Sequence, residues 1–306
     1  MVLTTIKEGF PRRCAAMEHW FLDSEFPNSE MDKARFHVIP FPLEASVSYE
    51  GGTAFGPEAL IRASSQLEQL VEGYGNPGLL GIHTTEAVPT DEGPAVAIQR
   101  AQALLKQAYA CKAIPVMLGG EHSISNAAIA LLKDCYAEGE VGVLQFDAHM
   151  DLRFAYEGNP LSHASVMRRM VEAGIPLFQV GIRNYSEEEQ QARIQYKIGH
   201  YDASFLYTKQ RVDGFGSLAL PQDFPKKLYI SFDVDAFDAS LMSATGTPDP
   251  GGLFWWDSIV LLQQLTEGRT IIGFDVVELA VNQLHHPSYT ASKLTYFLMG
   301  LSSKRY

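Results

Sequence analysis

The chain has little of what would make it a stapled, membrane-spanning or nucleic-acid-binding protein. Only three cysteines occur in 306 residues, Cys14, Cys111 and Cys135, and none stands in a CxxC pair. That is neither a disulfide framework nor a zinc knuckle, so idle thiols in a reducing compartment are expected. No stretch supplies the roughly 18 uninterrupted apolar residues that a membrane helix needs. The opening MVLTTIKEGFPRRCAAMEHW has no signal-peptide apolar run before its charges. The expectation is a soluble cytoplasmic protein. Basic residues are also in deficit, with 24 Lys and Arg against 36 Asp and Glu, a net charge of -12. Such a surface repels phosphate backbones, which argues against nucleic acid as a partner and suits a small cationic one.

What is present is a regular alternation. Short apolar runs at Phe36–Pro40, Ile114–Leu118, Val141–Phe146, Leu177–Val180, Leu228–Phe232 and Ile271–Val276 read as strands buried on both faces. Between them, Glu58–Glu72, Ala95–Tyr109, Ser123–Lys133, Ala164–Ala173, Glu187–Tyr196, Trp255–Leu265 and Ala291–Leu301 read as helices. Strand–helix alternation predicts an α/β protein, a three-layer α/β/α arrangement around a mainly parallel doubly wound sheet. Residues 1–34 lack sustained periodicity and read as an N-terminal extension. Residues 35–306 show no Pro/Ser-rich linker or internal repeat and read as a single domain.

Acids and histidines gather where the strands end. Four candidate strands run into polar clusters: Gly119–Ser123 (GGEHS), Asp147–Asp151 (DAHMD), Asp233–Asp235 (DVD) and Val277–Glu278. In open α/β sheets, sites form outside the carboxyl ends of the strands, so these clusters should meet at one sheet edge. Alternation along an extended chain lets Asp147, His149 and Asp151 project to one side, and likewise Asp233 with Asp235. With His122 this makes four carboxylates and two imidazoles. The set is too rich in oxygen for structural zinc and too rich in nitrogen for a calcium cage, and it fits a carboxylate-bridged pair of ions such as Mn²⁺. A lone DxD or a lone histidine would mean little. Six such groups from three strand ends would all need partners if buried, and few basic residues lie nearby in sequence.

GGEHS, FDAHMDLR, SFDVDAFD, ATGTPDPGG and FDVVELA together resemble the ureohydrolase family of arginases and agmatinases, over about residues 36–301. The order of DLR, YEG, SHA and GIR is most similar to bacterial and archaeal agmatinases. The resemblance implies an eight-stranded arginase-like sheet, two Mn²⁺ per subunit, and a homotrimer or homohexamer. One ion would be held by His122, Asp147, Asp151 and Asp233, and the other by His149, Asp147, Asp233 and Asp235. It further implies hydrolysis of a guanidino compound, agmatine to putrescine and urea, by a hydroxide bridging the metals. Asp151 would accept a hydrogen bond from that hydroxide. Glu278 would grip the guanidinium and His163 would carry a proton to the leaving amine. Thr247 and Gly251 belong to a loop shaping the pocket wall.

The polar residues by which arginases read a substrate carboxylate are absent after DAHMD, where Leu152, Arg153 and Phe154 stand instead. Glu157 is the candidate for a distal ammonium. Arg153 is read as an ion-pair partner of Glu157 at i+4, or alternatively as a reader of an anionic substrate tail. Arg183 could be structural or a substrate contact. Family members commonly carry Pro where Ala239, Ser243 and Val281 stand. His285–His286–Pro287 reads as a solvated loop. Aminopropylagmatine, guanidinobutyrate, guanidine, formimidoylglutamate and arginine stay open as substrates, as does a non-catalytic metal-binding scaffold.

Overall fold

The computed structural model describes residues 19–281 and 286–303. Eight strands form one sheet: β1 (Phe36–Phe41), β2 (Ile82–Thr84), β3 (Ile114–Gly119), β4 (Val141–Phe146), β5 (Leu177–Val180), β6 (Gly199–Tyr201), β7 (Lys227–Asp233) and β8 (Thr270–Val277). Every pairing is parallel, in the order β2-β1-β3-β8-β7-β4-β5-β6. The six strands read from the sequence are all present. β2 and β6 are three-residue edge strands, too short for periodicity to reveal.

Among the described residues eight α-helices connect and cover the strands: α1 (Gly56–Ser64), α2 (Pro94–Ala110), α3 (Asn126–Asp134), α4 (Val166–Glu172), α5 (Glu187–Gln195), α6 (Ala203–Asp213), α7 (Trp255–Leu265) and α8 (His286–Ser302). Alternate strand residues feed two apolar clusters. Val116, Leu118, Leu144 and Phe146 pack with α1, α6, α7 and α8, whereas Met117, Val141 and Val143 pack with α2, α3, α4 and α5. That is the three-layer α/β/α arrangement. Phe21 and Leu22, ahead of β1, are fully buried in the first of these clusters. Among the described residues no helix is long and apolar enough to cross a membrane.

Two helix boundaries differ most from the sequence reading. Helix α1 stops at Ser64, not Glu72, because its serines turn on the backbone: Ser64 Oγ donates to the Ile61 carbonyl and Ser65 Oγ to that of Arg62. The apolar residues beyond it, Leu67 and Val71, still bury, but from turns. Helix α8 begins at His286 instead of Ala291, with Pro287 in its first turn, where a missing N–H costs nothing. His286 therefore opens a helix and is not part of a loop, while His285 lies outside the described residues.

The doubled glycine before Glu121 is a packing requirement. A Cβ on Gly120 would sit 2.0 Å from the Leu43 carbonyl oxygen, and one on Gly119 would sit 2.7 Å from Val277 Cγ1. These contacts press the segment after β1 against the end of β3. Gly120→Ala should destabilise the protein by about 1–3 kcal/mol and lower divalent-ion affinity, read as a denaturant midpoint and a binding isotherm; an unchanged midpoint would contradict the packing.

Candidate active site

β3, β8, β7 and β4 are consecutive neighbours in the sheet, so the polar clusters at their carboxyl ends meet. Ala148 and Met150 are fully buried, Met150 in the second apolar cluster, while Asp147 and Asp151 approach His122 and His149 approaches Asp235. His122 opens the 3₁₀ turn after β3, and Asp235 lies in the 3₁₀ turn after β7. His122 Nδ1 lies 3.2 Å from Asp147, 3.0 Å from Asp151 and 3.3 Å from Asp233. His149 Nδ1 lies 2.9 Å from Asp235 and 3.6 Å from Asp147. The structure thus brings all six candidate ligands together, with Asp147 common to two donor groups, His122–Asp147–Asp151 and Asp147–His149–Asp235.

The hydrogen bonds behind His122 decide what the cluster fits. Ser231 Oγ donates to Asp275 Oδ1 at 2.8 Å, so Ser231 Oγ accepts from His122 Nε2 at 2.8 Å. Asp275 is held in turn by the Tyr229 hydroxyl and Ser125 Oγ, each at 2.9 Å. With its proton on Nε2, His122 directs the Nδ1 lone pair at three carboxylates, and this buried atom has no hydrogen-bond partner. A lone pair among carboxylate oxygens calls for a cation, and imidazole plus carboxylates suits a first-row divalent ion.

The titration of the cluster tells the same story. Burial, then Asp147, pushes Asp151 up to about 7. Burial, then Asp235 and Asp147, pushes Asp233 well above the carboxylate range. Burial pushes Glu278 up to about 8. Burial opposes charge on His122 and His149, but the facing carboxylates outweigh it and hold both well above the ordinary histidine value. Burial likewise opposes charge on Asp147, yet His122 and His149 hold it below its usual value. Without metal the cluster retains protons to supply the positive charge it lacks.

A cavity of about 230 Å³ opens over the cluster, lined among others by His163, Glu278, Thr247, Arg153 and Glu50. Glu278 follows β8, and its Oε1 accepts the His122 backbone N–H at 2.6 Å. Both Asp151 (φ 52) and Glu278 (φ 65) sit in the left-handed region. That conformation costs non-glycine residues of order 1 kcal/mol each, and it persists here where candidate chemical groups stand. His163 opens the 3₁₀ turn before α4, with Nδ1 2.9 Å from Ser46 Oγ and Nε2 2.8 Å from Ser48 Oγ. Burial first, then His122 and His149, pushes His163 down to about 4.

Two expectations change, those for Glu157 and for its pairing with Arg153. Glu157 is exposed at the tip of a turn (φ 48) and is not among the cavity-lining residues. Arg153 does not pair with it, because residues 152–158 are not helical; its Nε lies 3.8 Å from Glu189 Oε2 instead. Arg183 donates to the carbonyls of Asp235 and Asp249 at 2.7 Å and to those of Gly181, Pro250 and Phe237, so it ties two loops together behind the site. Gly251 is likewise a scaffold residue, its N–H bound to Asp238 Oδ2 at 2.7 Å. The sequence reading passed over Ser46, Ser48, Glu50, Glu121, Ser231 and Asp275. Of these, Glu121 and Asp275 carried a signal, as acids inside or beside apolar strands.

The sequence profile described as the arginase family matches residues 34–300. The chain belongs to that family of hydrolases. It is 34% identical over 290 residues to the N(1)-aminopropylagmatine ureohydrolase of Thermococcus kodakarensis, covering 92% of this chain and 96% of the relative. It is 32% identical to the agmatinase of Pyrococcus horikoshii, covering 92% and 97%. Among solved structures it resembles the agmatine ureohydrolase of Thermoplasma volcanium (TM-score 0.76, 27% identity, 89% and 91% covered). It also resembles the arginase of Medicago truncatula (TM-score 0.78, 28% identity, 89% and 88% covered).

Asp151, Asp233, Glu278, His122 and His149 hold protons in the metal-free fold that the unfolded chain has released near pH 7; His163 and His37, both pushed down by burial, work the other way below their ordinary value. Metal-free protein should therefore lose stability as pH rises from about 5 to 8, and a divalent ion should restore it. Thermal melts with and without Mn²⁺ across that range check this. A metal-free melting temperature that rises toward pH 8 would contradict the proton count.

Proposed function

We propose that this protein hydrolyses agmatine to putrescine and urea, with two Mn²⁺ held by the six residues expected from the sequence. His122, Asp147, Asp151 and Asp233 would hold one ion, and His149, Asp147, Asp233 and Asp235 the other. The observation that carries the reading is the unpartnered His122 Nδ1 among three carboxylates on the floor of a cavity that Glu278 and His163 also line. When bound, such an ion pair activates water near neutral pH and stabilises developing negative charge.

The side chains supply the rest. Glu278 faces a planar cation with a planar carboxylate, the geometry that best matches a guanidinium fork. An arriving guanidinium would ionise it, since a cation offsets the burial that holds it protonated. Asp151 orients the attacking water by accepting its hydrogen bond. His163 is neutral at working pH, accepts a proton as the intermediate forms, and returns it to the leaving amine. Thr247 forms part of the wall beside the substrate. Arg153, tied to Glu189, has a structural role.

The distal ammonium of agmatine needs an acid, and Glu50 takes the place first given to Glu157. It lines the cavity and is exposed, and no ion pair or side-chain hydrogen bond links it to another described residue. The same site admits a longer polyamine tail, which is the second reading, consistent with the relative named for aminopropylagmatine. Assembly as a trimer or hexamer belongs to the same reading and is checked by light scattering.

Urea release after Mn²⁺ loading should be at least tenfold faster with agmatine or aminopropylagmatine than with arginine. Urea from none of these, with two ions bound, would sink the proposal and turn attention to anionic substrates, for which Arg153→Ala should then matter. Glu278→Gln should lower kcat/KM by about 10²-fold or more while leaving the melting temperature close to wild type. Glu50→Gln should raise KM for agmatine several-fold, about 1 kcal/mol of an exposed ion pair, with kcat little changed.

A further inference from the structure

His163 is not held alone. Its Nδ1 and its backbone N–H both reach Ser46 Oγ, at 2.9 and 3.1 Å. Ser46 Oγ in turn lies 2.9 Å from Oε1 of Glu121, the buried acid of GGEHS. The other carboxylate oxygen, Glu121 Oε2, accepts the backbone N–H groups of Ala45 at 2.6 Å and Ser46 at 2.5 Å. Ser123 Oγ donates to Oε1 as well. Four donors converge on this carboxylate, and two of them are backbone N–H groups that can do nothing else.

We propose that Glu121 and Ser46 are positioning residues that fix the tautomer of His163, leaving Nε2 as its proton-exchanging atom. Each hydroxyl and ring nitrogen has a fixed number of protons to give. Glu121 takes the Ser46 hydroxyl proton, so Ser46 Oγ can only accept from the histidine. Nδ1 must then carry the ring proton, and the lone pair lies on Nε2, where it accepts from the exposed Ser48 hydroxyl at 2.8 Å. When His163 takes up a second proton it lands on Nε2 and leaves from Nε2, while Nδ1–H stays on Ser46. A carboxylate behind a catalytic imidazole does this directly in other hydrolases; here a serine hydroxyl stands between them.

The count makes a sharp distinction between two variants. In Glu121→Gln, the amide oxygen must face the backbone N–H groups of Ala45 and Ser46, which places the amide NH₂ against the Ser46 hydroxyl. Ser46 Oγ then accepts from the amide and from the His163 backbone, so its own O–H must donate to His163 Nδ1, which can only accept. The tautomer inverts, and Nε2 now holds the ring proton. In Ser46→Ala the link is cut and neither tautomer is imposed. In Ser46→Thr the hydroxyl is kept and the wild-type state should return.

The test is nitrogen-15 NMR of the full chain labelled at histidine and loaded with diamagnetic Zn²⁺, with His163 assigned from His163→Gln. Wild type and Ser46→Thr should show a protonated Nδ1 and an unprotonated Nε2. Glu121→Gln should exchange the two shifts, and Ser46→Ala should give averaged ones. Wild type with the proton on Nε2, or folded Glu121→Gln with unchanged shifts, would overturn the proposal. The kinetic consequence rests on the proposed guanidino hydrolysis. With Mn²⁺, Glu121→Gln and Ser46→Ala should lower kcat by about 10²-fold with KM and metal content near wild type, and Ser46→Thr should recover most of it. A kcat held at wild type in the inverted tautomer would overturn the positioning role. The expected shifts in a protein that releases no urea would overturn the activity and leave the tautomer assignment standing.

Discussion

Four aspartates buried at adjoining strand ends are the constraint around which this molecule is organised. Asp147, Asp151, Asp233 and Asp235 are each at most 5% exposed, and no Lys or Arg side chain pairs with any of them among the described residues. Ionised carboxylates removed from water cost several kcal/mol each unless a cation compensates. The two imidazoles can supply part of that charge only by giving up the lone pairs they aim at the acids. A pair of divalent ions relieves both problems, since it neutralises the carboxylates and uses the lone pairs. The fold therefore carries a standing electrostatic debt at one edge of its sheet, and that edge is where the cavity opens.

Much of the surrounding structure serves to hold these acids in place. Gln145 and Gln179 are register partners on β4 and β5, two amides in otherwise apolar strands. Gln145 donates to Asp147 at 2.7 Å, Gln179 donates to Gln145 at 2.7 Å, and Arg193 of α5 donates to Gln179 at 3.0 Å. The chain of bonds runs from a candidate metal ligand to a helix on the outer layer, and each buried polar group in it is satisfied by the next. On the opposite side Asp275 plays the same part for His122 through Ser231. Arg183 gathers four carbonyls from the connection between β7 and α7, those of Asp235, Phe237, Asp249 and Pro250, and a fifth from Gly181 just after β5. The left-handed backbone at Asp151 and Glu278 is tolerated because these bonds and the flanking strands over-determine it.

The legible part of the sequence was the part governed by local pattern. Apolar runs of five or six residues marked the central strands, because strands covered on both faces have no polar side to show. DAHMD and DVD could be placed on one side of the chain from period-two alternation alone. β2, β6 and α6 escaped because their local signals are weak; they hold their places by pairing with β1 and β5 or by packing on the sheet. The expected Arg153–Glu157 pair fails for a related reason. That spacing means something only in a helix, and the chain leaves Asp151 in a left-handed turn that no sequence period announces.

Which residue types form the site, and on which strand ends they stand, was determined by the sequence by itself, since both follow from composition and from alternation along short segments. Only the tertiary structure decided that β3, β8, β7 and β4 are neighbours, which turns four separate clusters into one. It alone decided that Glu50 lines the cavity and Glu157 does not, that Arg153 faces Glu189, and that Glu121 stands behind Ser46 and Ser46 behind His163, pairs 75 and 117 residues apart in the chain. The physical reason is that strand order and loop packing are set by crossovers and long-range burial. A hydrogen bond between residues so far apart leaves no period in the sequence for the eye to find.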